Sequence, residues 1–104
     1  MKDKIRCIVK RVGEEPTVSI LVNTLEAFQA AVNGYIEPIH LPNGELILVN
    51  EEGLINGDCH FNCYLKTSNG KLYPLFGNIL FVGVDDEDFT DTKMTIEEAK
   101  EYLA

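Results

Sequence analysis

The stretch from Asn23 to Gly53, NTLEAFQAAVNGYIEPIHLPNGELILVNEEG, constrains the fold more than any other part of the sequence. Asn23 or Thr24 can cap a helix, because a short side-chain oxygen accepts a backbone N–H that a helix start leaves without a partner. With Asn23 as the cap, Glu26 falls at the third helical position, where its carboxylate can reach back to the cap's own N–H. Leu25, Phe28, Ala31 and Val32 lie on one apolar stripe, so a helix over residues 24–33 is expected to cover one face of a sheet. Gly34 stands where a left-handed C-cap is wanted. Residues 35–41 and 45–50 then read as two strands. They are joined at Pro42-Asn43-Gly44, where Asn-Gly accepts positive φ at little cost. Pro38 cannot donate to a ladder, which places its strand at an edge or a bulge.

The remaining segments build on this unit. Residues 3–12 alternate, with Ile5, Cys7 and Val9 on one side, as a strand with one wet face would. Thr17 to Val22 is a β-branched run after a turn at residues 13–16, so an antiparallel partner is expected there. Residues 54–66 mix their periodicities and read as an irregular loop with a short helical turn. Residues 72–75 form a short strand interrupted by Pro74. Residues 77–84, GNILFVGV, are almost wholly apolar, as a central strand buried on both faces would be. Residues 85–93 read as an acidic loop. Thr95, with Glu98 three places on, caps a C-terminal helix over 95–103 with a weak stripe of Ile96, Ala99 and Leu103. The fold class is therefore α+β in a single domain, 1–104. A mostly antiparallel sheet of about five strands is covered by one main helix and closed by the short terminal one.

Composition removes several functions. No apolar run approaches the roughly 18 residues that span a bilayer, and the N-terminal segment is not a secretory signal, so the expected location is the cytoplasm and no membrane contact is expected. The net charge of −8 repels phosphate backbones, and the basic residues are dispersed apart from Lys2, Lys4, Arg6, Lys10 and Arg11, so no direct nucleic-acid binding is expected. The acidic residues near the C-terminus, Asp85 to Asp88, Asp91, Glu97, Glu98 and Glu101, read either as a solvated face or as a patch for a basic partner. Three cysteines without an export signal fit a reducing compartment.

Four groups of residues could carry chemistry. Cys59-His60-x-x-Cys63 is metal-like, but a structural zinc site needs four ligands, and Cys7 and His40 are the other obvious donors; no metal and no cofactor is expected. Cysteine is equally a small buried hydrophobe. A Cys-His-Asp arrangement drawn from Cys59 or Cys63, His40 or His60, and Asp58 would be too local in sequence for a proton relay, and no catalytic residue is assigned. Tyr35 and Glu37 share one side of a strand with Ile36 opposite, so an inward Ile36 would present a phenol and a carboxylate together. Asn50 and Glu51 close a strand and are also ordinary turn formers. Asn62 lies within an apolar stretch, where its amide either braces a loop or binds something. The candidate ligand- or partner-binding residues are therefore Tyr35, Glu37, Asn50, Glu51 and Asn62.

Several blocks carry a resemblance. They are N-T-L-E-A-F-Q-A-A-V-N-G-Y-I-E, then P-N-G-E-L-I-L-V-N-E-E-G, Asn62 in its short segment, and G-N-I-L-F-V-G before D-D-E-D-F-T. Over about residues 8 to 103 the chain resembles a small bacterial family known as domain of unknown function 3846. The resemblance is most specific at Gly34-Tyr35-Ile36-Glu37 and Asn50-Glu51-Glu52-Gly53. It implies carriage by bacteria, phages and mobile elements, and an accessory or host-interaction role, without an assigned activity. The family tends to place a basic residue after the loop asparagine, where this chain has Cys63.

The expectation is a small binding or accessory protein that captures a protein or small ligand through one face. One alternative is a small hydrolase or transferase using Glu37 or the Cys59–Cys63 loop. Another is a homo-oligomeric scaffold that pairs its edge near Pro38 with a copy of itself.

Overall fold

The computed structural model describes residues 3–53 and 60–104. Its central strand is the apolar run expected from the sequence. In chain order the elements are β1 (Lys4–Lys10), β2 (Thr17–Val22), α1 (Leu25–Val32), β3 (Ile36–His40), β4 (Leu46–Asn50), β5 (Phe61–Lys66), β6 (Leu72–Phe76), β7 (Ile79–Asp85), β8 (Asp88–Thr90) and α2 (Ile96–Glu101). The main sheet runs β2-β1-β7-β4-β3, every pairing antiparallel, and β8 adds to β7 as a sixth strand. β5 and β6 form a second, two-stranded antiparallel sheet. The chain is thus α+β, with a mostly antiparallel sheet and two short helices. Among the described residues the expected five strands in one sheet become six in the main sheet and two outside it.

β7 is hydrophobic on both sides because both sides are covered. Leu80 and Val82 join Ile5, Cys7, Val9, Leu46 and Leu48 under Phe28 and Val32 of α1. Ile79 and Phe81 face the other way, with Ile8, Ile47 and Val49, onto Cys63, Leu65, Leu75, Met94 and Ala99. The main sheet is therefore the middle of three layers, between α1 on one face and the β5–β6 sheet with α2 on the other. Alternation along each strand divides one apolar sequence between two cores.

Some local expectations need correction. Thr24, not Asn23, is the N-cap of α1, its hydroxyl accepting from the Ala27 N–H. Glu26 consequently falls one position too early to close a capping box. Leu25, expected on the buried stripe, is 53% exposed. The left-handed residue ending α1 is Asn33 (φ 61°), not Gly34. Gly34 is needed for closeness instead: a Cβ there would lie 2.5 Å from Asn50 Nδ2.

The Pro42-Asn43-Gly44 turn puts Gly44, not Asn43, at positive φ. The Gly44 N–H donates to Leu41 O at 3.0 Å and the Leu41 N–H to Glu45 O at 2.9 Å. Proline is thus free to start the tight part of the turn, and the glycine forms the bulge that follows it. The turn between β5 and β6 repeats this pattern, with the Gly70 N–H donating to Thr67 O and the Thr67 N–H to Lys71 O.

Residues 61–66, read from the sequence as irregular, are strand β5. The misleading signal has a cause. The register between β5 and β6 shifts between Phe61 and Cys63, and this bulge breaks the period-two pattern at Asn62. Residues 85–93 are not all loop: Asp86 takes φ 56°, which turns the chain so that Asp85 pairs with Asp88 in the β7–β8 hairpin. At the C-terminal helix the expected capping box is present, Thr95 accepting from the Glu98 N–H while Glu98 accepts from the Thr95 N–H.

A polar cluster that the sequence reading missed fastens residues 91–94 across the lower sheet face, the one that carries β5, β6 and α2. Arg6 donates from one nitrogen to Thr92 O (3.0 Å) and Met94 O (2.9 Å), and its backbone N–H donates to Asp91 Oδ1. Buried Glu45 accepts from the Thr92 hydroxyl and from the Lys93 N–H.

Candidate functional site

β3 is an edge strand, and Pro38 shows why that position tolerates proline. The bonds Glu51 N–H to Tyr35 O and Leu41 N–H to Glu45 O mark odd-numbered residues as those whose backbones face β4. Pro38 therefore turns its missing N–H toward the open edge, where no ladder bond is lost. Ile36 packs into the core beneath α1. Glu37, on the opposite side, looks over the face that carries the β5–β6 sheet.

There Glu37 and Glu51 border one small depression with Val49, Gly53, Tyr73 and Phe76, about 50 Å³ in volume. Tyr35 lies directly across from Glu51 and Glu37 across from Val49, so Glu37 and Glu51 are diagonal neighbours on one face, with Cα atoms roughly 7–8 Å apart by sheet geometry. Among the described residues neither carboxylate has an ion-pair or hydrogen-bond partner. Two further depressions follow, each sharing lining residues with the one before it, and together the three mark a groove between β3 and the second sheet. Its next section, about 310 Å³, is bordered by Glu37, Pro38, Ile39, Leu65, Thr67 and Tyr73. A further section, about 490 Å³, runs between the two hairpin tips, residues 39–42 and 65–68.

The five sequence-derived residues divide into two groups. Tyr35 (67% exposed), Glu37 and Glu51 are open to solvent; Glu37 and Glu51 border one end of the groove, while Tyr35 lies on the same strand face and lines none of its depressions. Asn50 and Asn62 are committed to internal bonds. The Asn50 amide donates to Val32 O and Asn33 O while its oxygen accepts from the Glu52 N–H, so one side chain satisfies the carbonyls at the end of α1 and fixes the turn after β4. Asn62 at the bulge donates to Lys10 O and Gly77 O and accepts from Lys10 Nζ, which ties the second sheet to the end of β1. Tyr73 and Thr67 are groove residues that the sequence reading did not single out. Their only sequence signal was a place in a strand and a turn.

The cysteine readings fare unevenly. Cys59 and Asp58 lie outside the described residues, so the Cys59–Cys63 motif as a whole does too. Cys63 faces the lower core, and burial raises its thiol above the usual value, opposed by the nearby charge of Lys10. Cys7, between the sheet and α1, is pushed up from 9.0 to about 12, chiefly by burial and secondarily by the charge of Asp91. Both are packed thiols, since the nucleophilic thiolate is disfavoured at neutral pH. Among the described residues no three of His, Cys, Asp and Glu gather as metal ligands would. Nor is any helix there long and apolar enough to cross a membrane.

Comparison with curated proteins and with solved structures gave no match. A family model does match, over residues 5–104, which include every strand from Ile5 onward, the groove and both helices. The chain therefore belongs to the family described as Domain of unknown function (DUF3846).

Proposed function

We propose that the protein is a non-enzymatic binding module that holds an extended basic segment of a protein partner in the groove between β3 and the β5–β6 sheet. The observation that carries this reading is the pair of carboxylates, Glu37 and Glu51, bordering one depression beside Tyr73 without a partner among the described residues. Two carboxylates on neighbouring positions of one face favour a cation beside them. The Tyr73 ring offers the flank of a lysine or arginine an apolar and π surface. The first depression, at about 50 Å³, has room for one side-chain head group. The groove's continuation past Ile39 and Leu65 suits the chain on either side of that head group.

The hydrolase or transferase reading has less support. Glu37 is exposed in an open groove rather than enclosed, and Cys63 is buried with its thiol held protonated. An accessory role in a phage or mobile element, and a cytoplasmic location, are part of the proposal. The carboxylates make nucleic acid a poor occupant.

The test uses two fluorescent peptides that alternate valine and threonine with lysine in one and glutamate in the other. Anisotropy titration should show the lysine peptide binding, at least tenfold weaker binding to Glu37→Lys, and weakening with salt. Equal binding of both peptides, or no effect of Glu37→Lys, would overturn the reading.

A further inference from the structure

The opposite edge of the main sheet carries an independent signal. In β2 the side chains of Val18, Ile20 and Val22 are 44%, 61% and 50% exposed. All three project from the lower sheet face, since Thr17, Ser19 and Leu21 share the side of their partners Val9, Cys7 and Ile5. The Asn23 N–H donates to Asp3 O, which sets the odd-numbered residues of β2 as those bonded to β1. The backbone N–H and C=O groups of Val18 and Ile20 therefore face outward, as does the Val22 N–H, while the Val22 C=O already accepts from the Thr24 N–H at 2.9 Å. The open ladder groups and the apolar stripe of these residues have no strand partner among the described residues.

We infer that this edge pairs with β2 of a second copy of the chain, antiparallel, with Ile20 opposite Ile20 across a two-fold axis. Four features support a second copy as the partner of this edge. The segment is self-complementary in this register: Val18 meets the partner's Val22, Val22 meets the partner's Val18, and both are β-branched. The Ile20 pair exchanges two backbone bonds, and in each Val18–Val22 pair the Val22 N–H meets the facing Val18 C=O, because the outward groups recur at every second residue. An axis normal to the sheet keeps all six side chains on one face, so their apolar surfaces adjoin. Finally, Thr17–Val22 contains no charge in a chain of net charge −8. It is a place where two copies meet without opposing like charges directly. The residual repulsion between the two anions is screened by salt, so the dimer tightens as ionic strength rises, the reverse of the basic-peptide groove.

Light scattering after size exclusion, over a concentration series, tests this directly. The mass should rise from 11.7 kDa toward twice that value. Ile20→Lys, which sets two ammonium groups against each other on the axis, should return it to the monomer. Because residue 20 is exposed, the variant should keep the wild-type circular dichroism; Ile20→Thr, with a smaller shift in the same direction, guards against misfolding. Hydrogen exchange then locates the contact: the Val18, Ile20 and Val22 amides should be protected at high concentration and exchange freely on dilution. A mass fixed at the monomer value, or a dimer that survives Ile20→Lys, would overturn the inference.

Discussion

The two edges of the main sheet are treated differently by the sequence. β3 carries Glu37, Pro38 and His40, whereas β2 is a run of uncharged, mainly β-branched residues. Proline at an outward-facing position removes a donor that another strand would need, and charge at an edge opposes sheet extension. β3 is therefore closed to strand addition and presents a side-chain groove, while β2 has no such protection. Under the two proposals above, one sheet would separate two kinds of contact, side-chain recognition at one edge and backbone pairing at the other.

The largest expected effect comes from loosening the β3 side alone. Asn50→Ala removes the bonds to Val32 O, Asn33 O and the Glu52 N–H and should cost about 1–3 kcal/mol, read as a lower urea midpoint. Hydrogen exchange should accelerate at the end of α1 and in β3 but not in β2. Uniform acceleration would show that the two edges are not independently supported.

Cys7, opposite Ser19 on the strand next to β2, probes the other side. Its thiol is raised in the folded state, from 9.0 to about 12. The folded protein holds that proton while the unfolded chain releases it, so the stability it contributes is present below pH 9 and lost as pH rises toward 12. Cys7→Ala should lower the urea midpoint below pH 9 by leaving a cavity, yet flatten its further decline above pH 9. A variant with the same alkaline slope as the wild type would exclude Cys7 as the cause.

Pro38→Thr restores the missing outward donor on β3. It should leave stability within about 0.5 kcal/mol, as exposed substitutions usually do. It should also add a second self-association mode that Ile20→Lys does not abolish, visible by light scattering in the double variant. A double variant that remains monomeric would mean proline is not what keeps β3 single. Glu37→Gln should have the smallest effect on folding, again within about 0.5 kcal/mol, while weakening the lysine peptide several-fold. A change in the oligomer mass instead would couple the two edges.

Much of the fold was legible because its signals are local. The Thr95–Glu98 box, the apolar run of β7 and the proline of β3 each report their position through a few neighbouring residues. The failures trace to distant contacts. The glycine at position 34 resembles a left-handed cap until Asn50 is brought against it, and a bulge at Asn62 hides β5 because its alternation breaks mid-strand. The candidate surface was half legible for the same reason. Alternation placed Glu37 opposite Ile36, but nothing near Asn50 or Asn62 in sequence could reveal that their amides are already used. Tyr73 enters only through the packing of the second sheet.

The register that sets Ile8 against Phe81 has a consequence for biosynthesis. A nascent chain makes β1 and β2 early, but the strand that flanks β1 on its other side emerges only after both later hairpins have begun. Until then the first hairpin carries open ladders along both margins, an arrangement prone to mispairing on crowded ribosomes. Contacts this distant along the chain slow folding. The interval before β7 arrives is therefore expected to be the point of greatest dependence on chaperones.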